Sequence, residues 1–419
     1  MNNKVKTLYI AAWGNPLTWG KTTYKCDNDE EKQGYSSIVC EQSNIDKYII
    51  FVLDSIITAS VDIGENRPYN NEAVELLYMI NGIRISNNNN RISVEPKIFE
   101  EKSWRNAINE YVRGLVSRIM PNFSDEKLDL IITPALGKLG GWTYDGRYEF
   151  IQIKLLGDLW GSLEKLYDSE IKNLDIILDL THGINFMPSL MIYVARLAAS
   201  LALLKGSKTV TIKAYNAISS GQQYEYVKVF SEQLRYVVLP DDPKDSVVKA
   251  FMKGMPLAVY KLCRKHDDQL KPNIKMDIDK NNKIINYSCN VKFIKYYEYL
   301  LRSQICSKAT NKLNNLMKSD LFSKIGYVVD RLVINELNNL YKAIHDNEIN
   351  GRIKYRDIRK NRQEEENRPD IENQDVFERN AVAHAGLLDE YTYIEKCEDD
   401  YCIDVDKEML KKLSLSNDD

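Results

Sequence analysis

The sequence is poor in the features that mark a metal protein, a membrane protein or a broad nucleic-acid surface. Its seven cysteines, Cys26, Cys40, Cys263, Cys289, Cys306, Cys397 and Cys402, include no CxxC pair. An odd, scattered set of this kind fits a reducing compartment. The four histidines, His182, His266, His345 and His384, are just as dispersed, so no zinc constellation is expected and a metal is not called for. The N-terminus lacks the charged, apolar and small-residue series of a secretion signal. The most apolar run, Met187 to Leu204 (MPSLMIYVARLAASLALL), contains Arg196, Ser189 and Ser200 and reads as a buried helix rather than a membrane span. A cytoplasmic location with no membrane partner is the expectation. Charge of neither sign dominates: 57 Lys and Arg against 60 Asp and Glu give −3 overall and a pI near 6.0. Any contact with RNA or DNA must therefore be local.

With 419 residues, 44% of them hydrophobic, the chain can build two or three real cores. Short branched runs at Val5–Ala12, Asp129–Thr133, Asp175–Leu180 and Val210–Asn216 predict strands, with a polar hairpin-like tail over Tyr224–Leu239. Helical patterns lie between them at Ile45–Ala59, Asn71–Ile80 and Trp104–Ile119. This alternation predicts a parallel-rich sheet covered on both faces. The stretch LPDDPKDS, Leu239 to Ser246, holds two prolines and three aspartates and marks a change of regime. Beyond it Phe293–Ser303, Gly326–Ile344 and Val376–Leu388 repeat apolar residues at helical spacing. The fold class is α/β plus all-α: a Rossmann-like domain over residues 1–240 and a helical domain over 241–419. The charged stretch 350–370 forms a loop or insertion, and its basic run Lys354–Arg362 reads as a wet helix face before it reads as an RNA contact.

The loop WGNPLTWGKTTY, Trp13 to Tyr24, imitates a phosphate-binding P-loop but fails on spacing. That motif needs four residues between its glycine and the Gly-Lys-Ser/Thr; here five separate Gly14 from Gly20. No apolar helix follows to aim its dipole at a phosphate. The loop nevertheless follows a buried strand, where open α/β sheets bind ligands. Two further strand-end stretches resemble it, LDLTHGINFMPSL (Leu178 to Leu190) and ITPALGKLGG (Ile132 to Gly141). Thr181 and Asn185 are good helix caps, and Gly183 allows close backbone approach. Tryptophan at such a mouth can stack on a base. Ordinary βα turns would explain each loop alone; together they favour a nucleotide-shaped ligand, with His182 better suited to positioning it than to acid–base work.

The stretch FERNAVAHAGLLD, Phe377 to Asp389, places Arg379, Asn380 and His384 in an R-N-x-x-x-H pattern. Imidazole moves protons near neutral pH, and guanidinium stabilises charge growing on phosphorus oxygens. Such a pair suits metal-free RNA cleavage through the ribose 2′-OH. Five residues at about 100° each leave the two Cα positions roughly 140° apart around a helix. One helix presents that pair poorly, whereas a second copy across a two-fold axis clusters two arginines and two histidines in one cleft. Taken alone, an Arg–His pair is more often solvated surface than a catalytic centre.

GNP after the first strand, DLTHGINF after a later one and RNAVAHAG in the helical half resemble, in order and over nearly the whole chain, the CARF–HEPN ancillary ribonucleases of type III CRISPR systems, Csx branch. The resemblance implies a homodimer, or an assembly of dimers, whose CARF domains bind a cyclic oligoadenylate, most often cyclic tetra-adenylate, as an allosteric activator. It implies a HEPN pair that cuts single-stranded RNA without metal or other cofactor, leaving a 2′,3′-cyclic phosphate and a 5′-hydroxyl. Carried onto this chain, the catalytic residues are Arg379 and His384 with Asn380 in support. The ligand contacts are Trp13, Gly14, Asn15, Pro16 and Thr18 from the first loop, and Thr181, His182, Gly183, Ile184 and Asn185 from the second. Pro134, Ala135 and Leu136 are weaker members of the set. The alternatives are a ligand-responsive transcription regulator, which calls for a compact basic helix-turn-helix, and a HEPN domain that dimerises without cutting.

Overall fold

Strand Lys4–Trp13 is the axis of the molecule's first half. Its residues Leu8 to Trp13 are each at most 1% exposed, the all-round burial that a parallel strand covered on both faces requires. It lies parallel between Ile171–Asp179 and Lys47–Leu53, and Thr209–Ser219 and Leu128–Thr133 extend the parallel set on the two sides. Antiparallel Tyr224–Leu234 and the short strands Thr22–Lys25 and Glu31–Gly34 complete an eight-stranded sheet. Taken in chain order, the five parallel strands run 3-2-1-4-5 across the sheet. The order therefore reverses between Lys4–Trp13 and Ile171–Asp179. In an open sheet the crevice at that reversal is where ligands bind. The structure, a computed structural model, describes residues 4–415 except 28, 41–43, 63–68, 89, 122–123, 168–170, 185, 222, 265–269, 348, 350 and 360–373.

Four of the expected strands and the helices Asn71–Met79 and Glu101–Ile119 form as read. The helix expected over Ile45–Ala59 does not. Lys47–Leu53 is a strand with Tyr48 to Leu53 all buried, and Asp54–Thr58 is one 3-10 turn. A continuous apolar run fits a central strand as well as a buried helix, and the open side of Lys4–Trp13 decides it. Met187–Lys205 is a helix, the only one among the described residues long and apolar enough to cross a membrane, and 72% of its most apolar window is buried within the fold. The cysteines depart from expectation: Cys26–Cys40, Cys263–Cys306 and Cys397–Cys402 are disulfides, and Cys289 alone is free. Folding brings together thiols whose sequence spacing carries no motif.

The chain forms two compact units. The first holds Met1–Ala202, Gly206–Arg235 and Pro272–Phe293; the second holds Leu203–Lys205, Tyr236–Lys271 and Ile294–Asp419. The backbone thus leaves the first unit before residue 240, returns as a hairpin, Ile274–Asp279 and Ile284–Cys289, and leaves again. Strand Ile284–Cys289 pairs with Trp142–Asp145, making a separate four-stranded sheet with Gly137–Leu139. The LPDDPKDS stretch is no linker. Asp245 caps helix Ser246–Met252 by accepting from Val247 N and Val248 N, and buried Glu298 accepts from Lys244 N at 2.8 Å and Asp245 N at 3.2 Å. The second unit is mainly helical, as expected, with helices Phe293–Cys306, Tyr327–His345 and Gln374–Ala383. It also carries a three-stranded antiparallel sheet, Ile353–Lys354, Thr392–Cys397 and Asp400–Val405, of which the sequence reading has nothing.

Candidate functional site

Two loops meet at the strand-order reversal. Gly14 follows Lys4–Trp13, and His182 follows Ile171–Asp179; Gly14 N donates to His182 O at 2.8 Å. Glycine is needed there, because a Cβ at Gly14 would stand 2.8 Å from Ile184 Cγ1 and 2.9 Å from His182 O. Asn15 is committed to the loop itself: its side chain accepts from Leu17 N at 3.2 Å and donates to Ser60 O at 3.2 Å. Thr18 bonds back to Asn15 O, and Pro16 is buried at the start of the short 3-10 turn. On the second loop Asp179, 2% exposed, accepts from Tyr9 and Ser37 hydroxyls, each at 2.6 Å, and from Thr181 N at 3.0 Å. Thr181 Oγ1 accepts from Ala217 N at 3.0 Å. Gly183 is close against Pro188 and Ala12. Asn185 lies outside the described residues.

A cavity of about 170 Å³ opens between these loops. Trp13, Gly14, Asn15 and Ile184 line one side. Leu53, Ser55, Ile56, Ala59 and Ser60 line the other, with Leu139 and Gly140 at the edge. The segment Leu53–Ser60 is the part of the site that the sequence reading missed, since a helix over Ile45–Ala59 would have taken it elsewhere. Its hidden side is a clamp. Asp54, 1% exposed, accepts from Tyr287 Oη at 2.7 Å and Ala135 N at 3.0 Å, and Thr58 Oγ1 bonds Tyr144 Oη at 2.5 Å. Burial pushes the Asp54 carboxyl up to about 7, against the opposing pull of the Tyr287 hydrogen bond. Gly140 has φ +58°, and a Cβ there would overlap Thr58 O.

Not every expected contact reaches the cavity. Pro134 and Ala135 are buried, with the Ala135 amide spent on Asp54, and Leu136 is half-buried. Trp13 is 1% and Trp19 7% exposed, and their rings pack edge to face with centroids 5.1 Å apart. Trp19 also lies over His182 at 4.1 Å. The indole faces are thus occupied by one another and by His182, so base stacking on them is not open in this conformation. Trp13 Nε1 and His182 Nε2 are buried without a hydrogen-bond partner among the described residues, a state that costs about 1–3 kcal/mol per group. Burial holds the His182 imidazole down to about 4, outweighing the attraction of Asp179, so the ring is neutral at pH 7. Among the described residues no charged side chain lines the cavity, and the Arg91 guanidinium donates to Ser60 Oγ in its wall at 2.7 Å.

In the second unit, helix Gln374–Ala383 buries Phe377 and Ala381 and turns Arg379 to solvent, where its Nε donates to Asp375 O at 3.3 Å. Asn380 is half-buried, and its carbonyl accepts from His384 N at 3.0 Å. His384 is not in the helix but caps its end. Ala385 N returns to Val382 O at 3.1 Å and Gly386 N to Ala381 O at 2.7 Å, with Ala385 and Gly386 at φ 51° and 72°. These are the two bonds of a Schellman ending. The helical wheel separation expected for Arg379 and His384 therefore does not apply, because the chain reverses at the histidine. Helix Tyr327–His345 supplies a residue the sequence reading missed: Glu336 Oε2 lies 3.3 Å from His384 Nδ1. Among the described residues no group of three or more His, Cys, Asp or Glu side chains could hold a metal.

A 3-2-1-4-5 parallel sheet with a cavity at its reversal, followed by a mainly helical unit bearing R-N-x-x-x-H at a helix end, defines a two-domain protein of sensor-plus-HEPN type. Residues 8–218 match the family model of the CARF domain of CRISPR system endoribonuclease Csx1, and residues 327–407 match that of its HEPN domain. The chain belongs to the Csx1 family. A curated relative, CRISPR system endoribonuclease Csx1 of Methanocaldococcus jannaschii, is 22% identical over 293 residues, which cover 67% of this chain and 50% of the relative. The chain spans about half the length of that relative.

Proposed function

We propose that this protein is a CRISPR-associated endoribonuclease that cuts single-stranded RNA without a metal and is switched on by a cyclic oligoadenylate, cyclic tetra-adenylate in the first instance. The observation that carries the reading is the ending of helix Gln374–Ala383, which leaves an exposed guanidinium and a half-exposed imidazole within one R-N-x-x-x-H stretch of a HEPN domain. In the proposed reaction His384 takes the proton of a ribose 2′-OH. The freed oxygen attacks the adjacent phosphorus, and the bond to the 5′-oxygen breaks as that oxygen takes up a proton. Arg379 stabilises the charge that builds on the non-bridging oxygens. The products are a 2′,3′-cyclic phosphate and a 5′-hydroxyl.

A homodimer, alone or as the unit of a larger assembly, brings two such sets together. Supporting this, helix Tyr327–His345 exposes three large apolar side chains, Tyr327 (63%), Val328 (79%) and Ile334 (41%), which a second copy would cover. The activator site is assigned to the cavity at the strand-order reversal, which Trp13, Gly14, Asn15, Ser55, Ser60 and Ile184 help to line. The test is incubation of the purified protein, in EDTA, with end-labelled single-stranded RNA and cyclic tri-, tetra- or hexa-adenylate in turn. RNA loss with one ring, and fragments bearing a cyclic phosphate, is the expected result. No cleavage with any ring removes the assignment.

A further inference from the structure

The imidazole of His384 has two nitrogens, and only one can face a ribose. The backbone around it is fixed: its N–H goes to Asn380 O, its carbonyl accepts from Leu387 N at 2.8 Å, and the next two residues are left-handed. What remains free is the rotation of the ring and the choice of tautomer. Glu336 acts on both. It sits beside the buried face of helix Tyr327–His345, formed by Val333, Leu337, Leu340 and Ile344, and its side chain is only 15% exposed. A carboxylate held that far from water needs a donor, and His384 Nδ1 at 3.3 Å is the partner the structure provides. A carboxylate acceptor at Nδ1 selects the tautomer with the proton on Nδ1 and leaves Nε2 as the open base.

We propose that Glu336 is a positioning residue for the cleavage reaction: it accepts the Nδ1 proton of His384 and so directs Nε2 toward the 2′-hydroxyl. This rests on the ribonuclease reading and deepens it by one residue. Glutamine in place of Glu336 can donate as well as accept at that position, so it no longer selects one tautomer of His384.

The test compares wild type with Glu336→Gln, which keeps the size of the side chain, and with Glu336→Ala. Two measurements are made on the full chain. The first is the rate of RNA cleavage with cyclic tetra-adenylate present. The second is the tautomer of His384, read from the imidazole nitrogen chemical shifts of histidine-labelled protein, which needs no catalysis. The expected result for Glu336→Gln is loss of the single Nδ1–H form in favour of a mixture of tautomers, and a rate at least about tenfold down, well inside the 10²–10⁴-fold that a positioned acid–base group supplies. Glu336→Ala is expected to lose more. A wild type that cuts RNA while the variants keep its tautomer overturns the role of Glu336 alone, even if their rates and melting temperatures fall together. A wild type that cuts no RNA overturns the ribonuclease reading, and this role with it.

Discussion

Gly14 and His182 are joined backbone to backbone, N–H to carbonyl at 2.8 Å, across the point where the strand order of the sheet reverses. One hydrogen bond thus fixes the mouth of the cavity, and it exists because Gly14 has no side chain. Replacing Gly14 with alanine puts a methyl group against Ile184 and the His182 carbonyl and must part the two loops. Calorimetric titration with cyclic tetra-adenylate is expected to show affinity reduced by about tenfold or more, equivalent to 1.4 kcal/mol. Unchanged affinity would mean that the ring binds elsewhere.

Arg379 is expected to be separable from stability; His384, the partner of the largely buried Glu336, is not. Arg379 is exposed and bonds only its own helix among the described contacts. His384→Ala and Arg379→Ala should each lower RNA cleavage on the order of 10²-fold or more; Arg379→Ala should leave the melting temperature nearly unchanged, whereas His384→Ala should lower it by leaving Glu336 without its donor. Arg379→Lys should not restore the rate, since a point charge does not replace a planar fork of donors. Gel assays with labelled RNA check both statements, and a lysine variant of full activity would contradict the second.

Gly386 bears on the same site through the backbone. At φ +72° and with Met255 Cβ 3.2 Å from where a methyl group would stand, Gly386→Ala should cost roughly 1–2 kcal/mol. Thermal melts and amide exchange over helix Gln374–Ala383 would register the loss, and wild-type exchange there would show the Schellman ending to be dispensable.

Self-association is checked by charge. Val328→Asp and Ile334→Asp place carboxylates at two of the exposed apolar positions of helix Tyr327–His345. Sedimentation velocity is expected to show dissociation to a single chain, with RNA cleavage falling in step. Dimers that persist in both variants would locate the interface on another face.

The first unit should carry a distinctive pH dependence. Asp54 is pushed up to about 7 in the fold, against about 3.9 in an unfolded chain. Between those values the native state holds a proton that the unfolded state has released. Its contribution is therefore full below about pH 4 and declines toward pH 7, at about 1.4 kcal/mol per pH unit. His182, held down to about 4, has the opposite sign: its contribution is present above the ordinary histidine value and lost as pH falls toward 4. Asp54→Asn keeps the shape and cannot ionise, so relative to wild type it should gain stability as pH rises through this window. All five tryptophans, Trp13, Trp19, Trp104, Trp142 and Trp160, lie in the first unit, and urea unfolding followed by their fluorescence isolates it. Parallel stability curves would count against a buried, protonated Asp54.

Much of this was legible in order and spacing. The parallel strands announce themselves as branched runs, and the GNP, DLTHG and RNxxxH stretches sit at element ends because glycine and caps are needed there. Strand Lys47–Leu53 was not legible: KYIIFVL satisfies either period, and only its neighbour in the sheet decides. With that strand misread, the cavity wall Leu53–Ser60 was lost as well. Glu336 was hidden for another reason. It stands 48 residues from His384 and, in sequence, is one more acidic residue on an amphipathic helix. The indoles of Trp13 and Trp19 show the converse error, residue types suited to a ligand whose faces the fold uses internally.

The hairpin Ile274–Cys289 also sets the timetable of synthesis. During translation the strand Trp142–Asp145 and buried Asp54 emerge long before Tyr287, and helices Ser246–Met252 and Pro256–Cys263 of the other unit leave the ribosome in between. Domains that occupy consecutive stretches of chain fold one after another as they emerge. These two cannot, because the earlier one waits for a piece encoded inside the later. A nascent chain halted near residue 240 would hold a nearly finished sheet whose core acid still lacks its tyrosine donor, and quality control can read such a chain as incomplete.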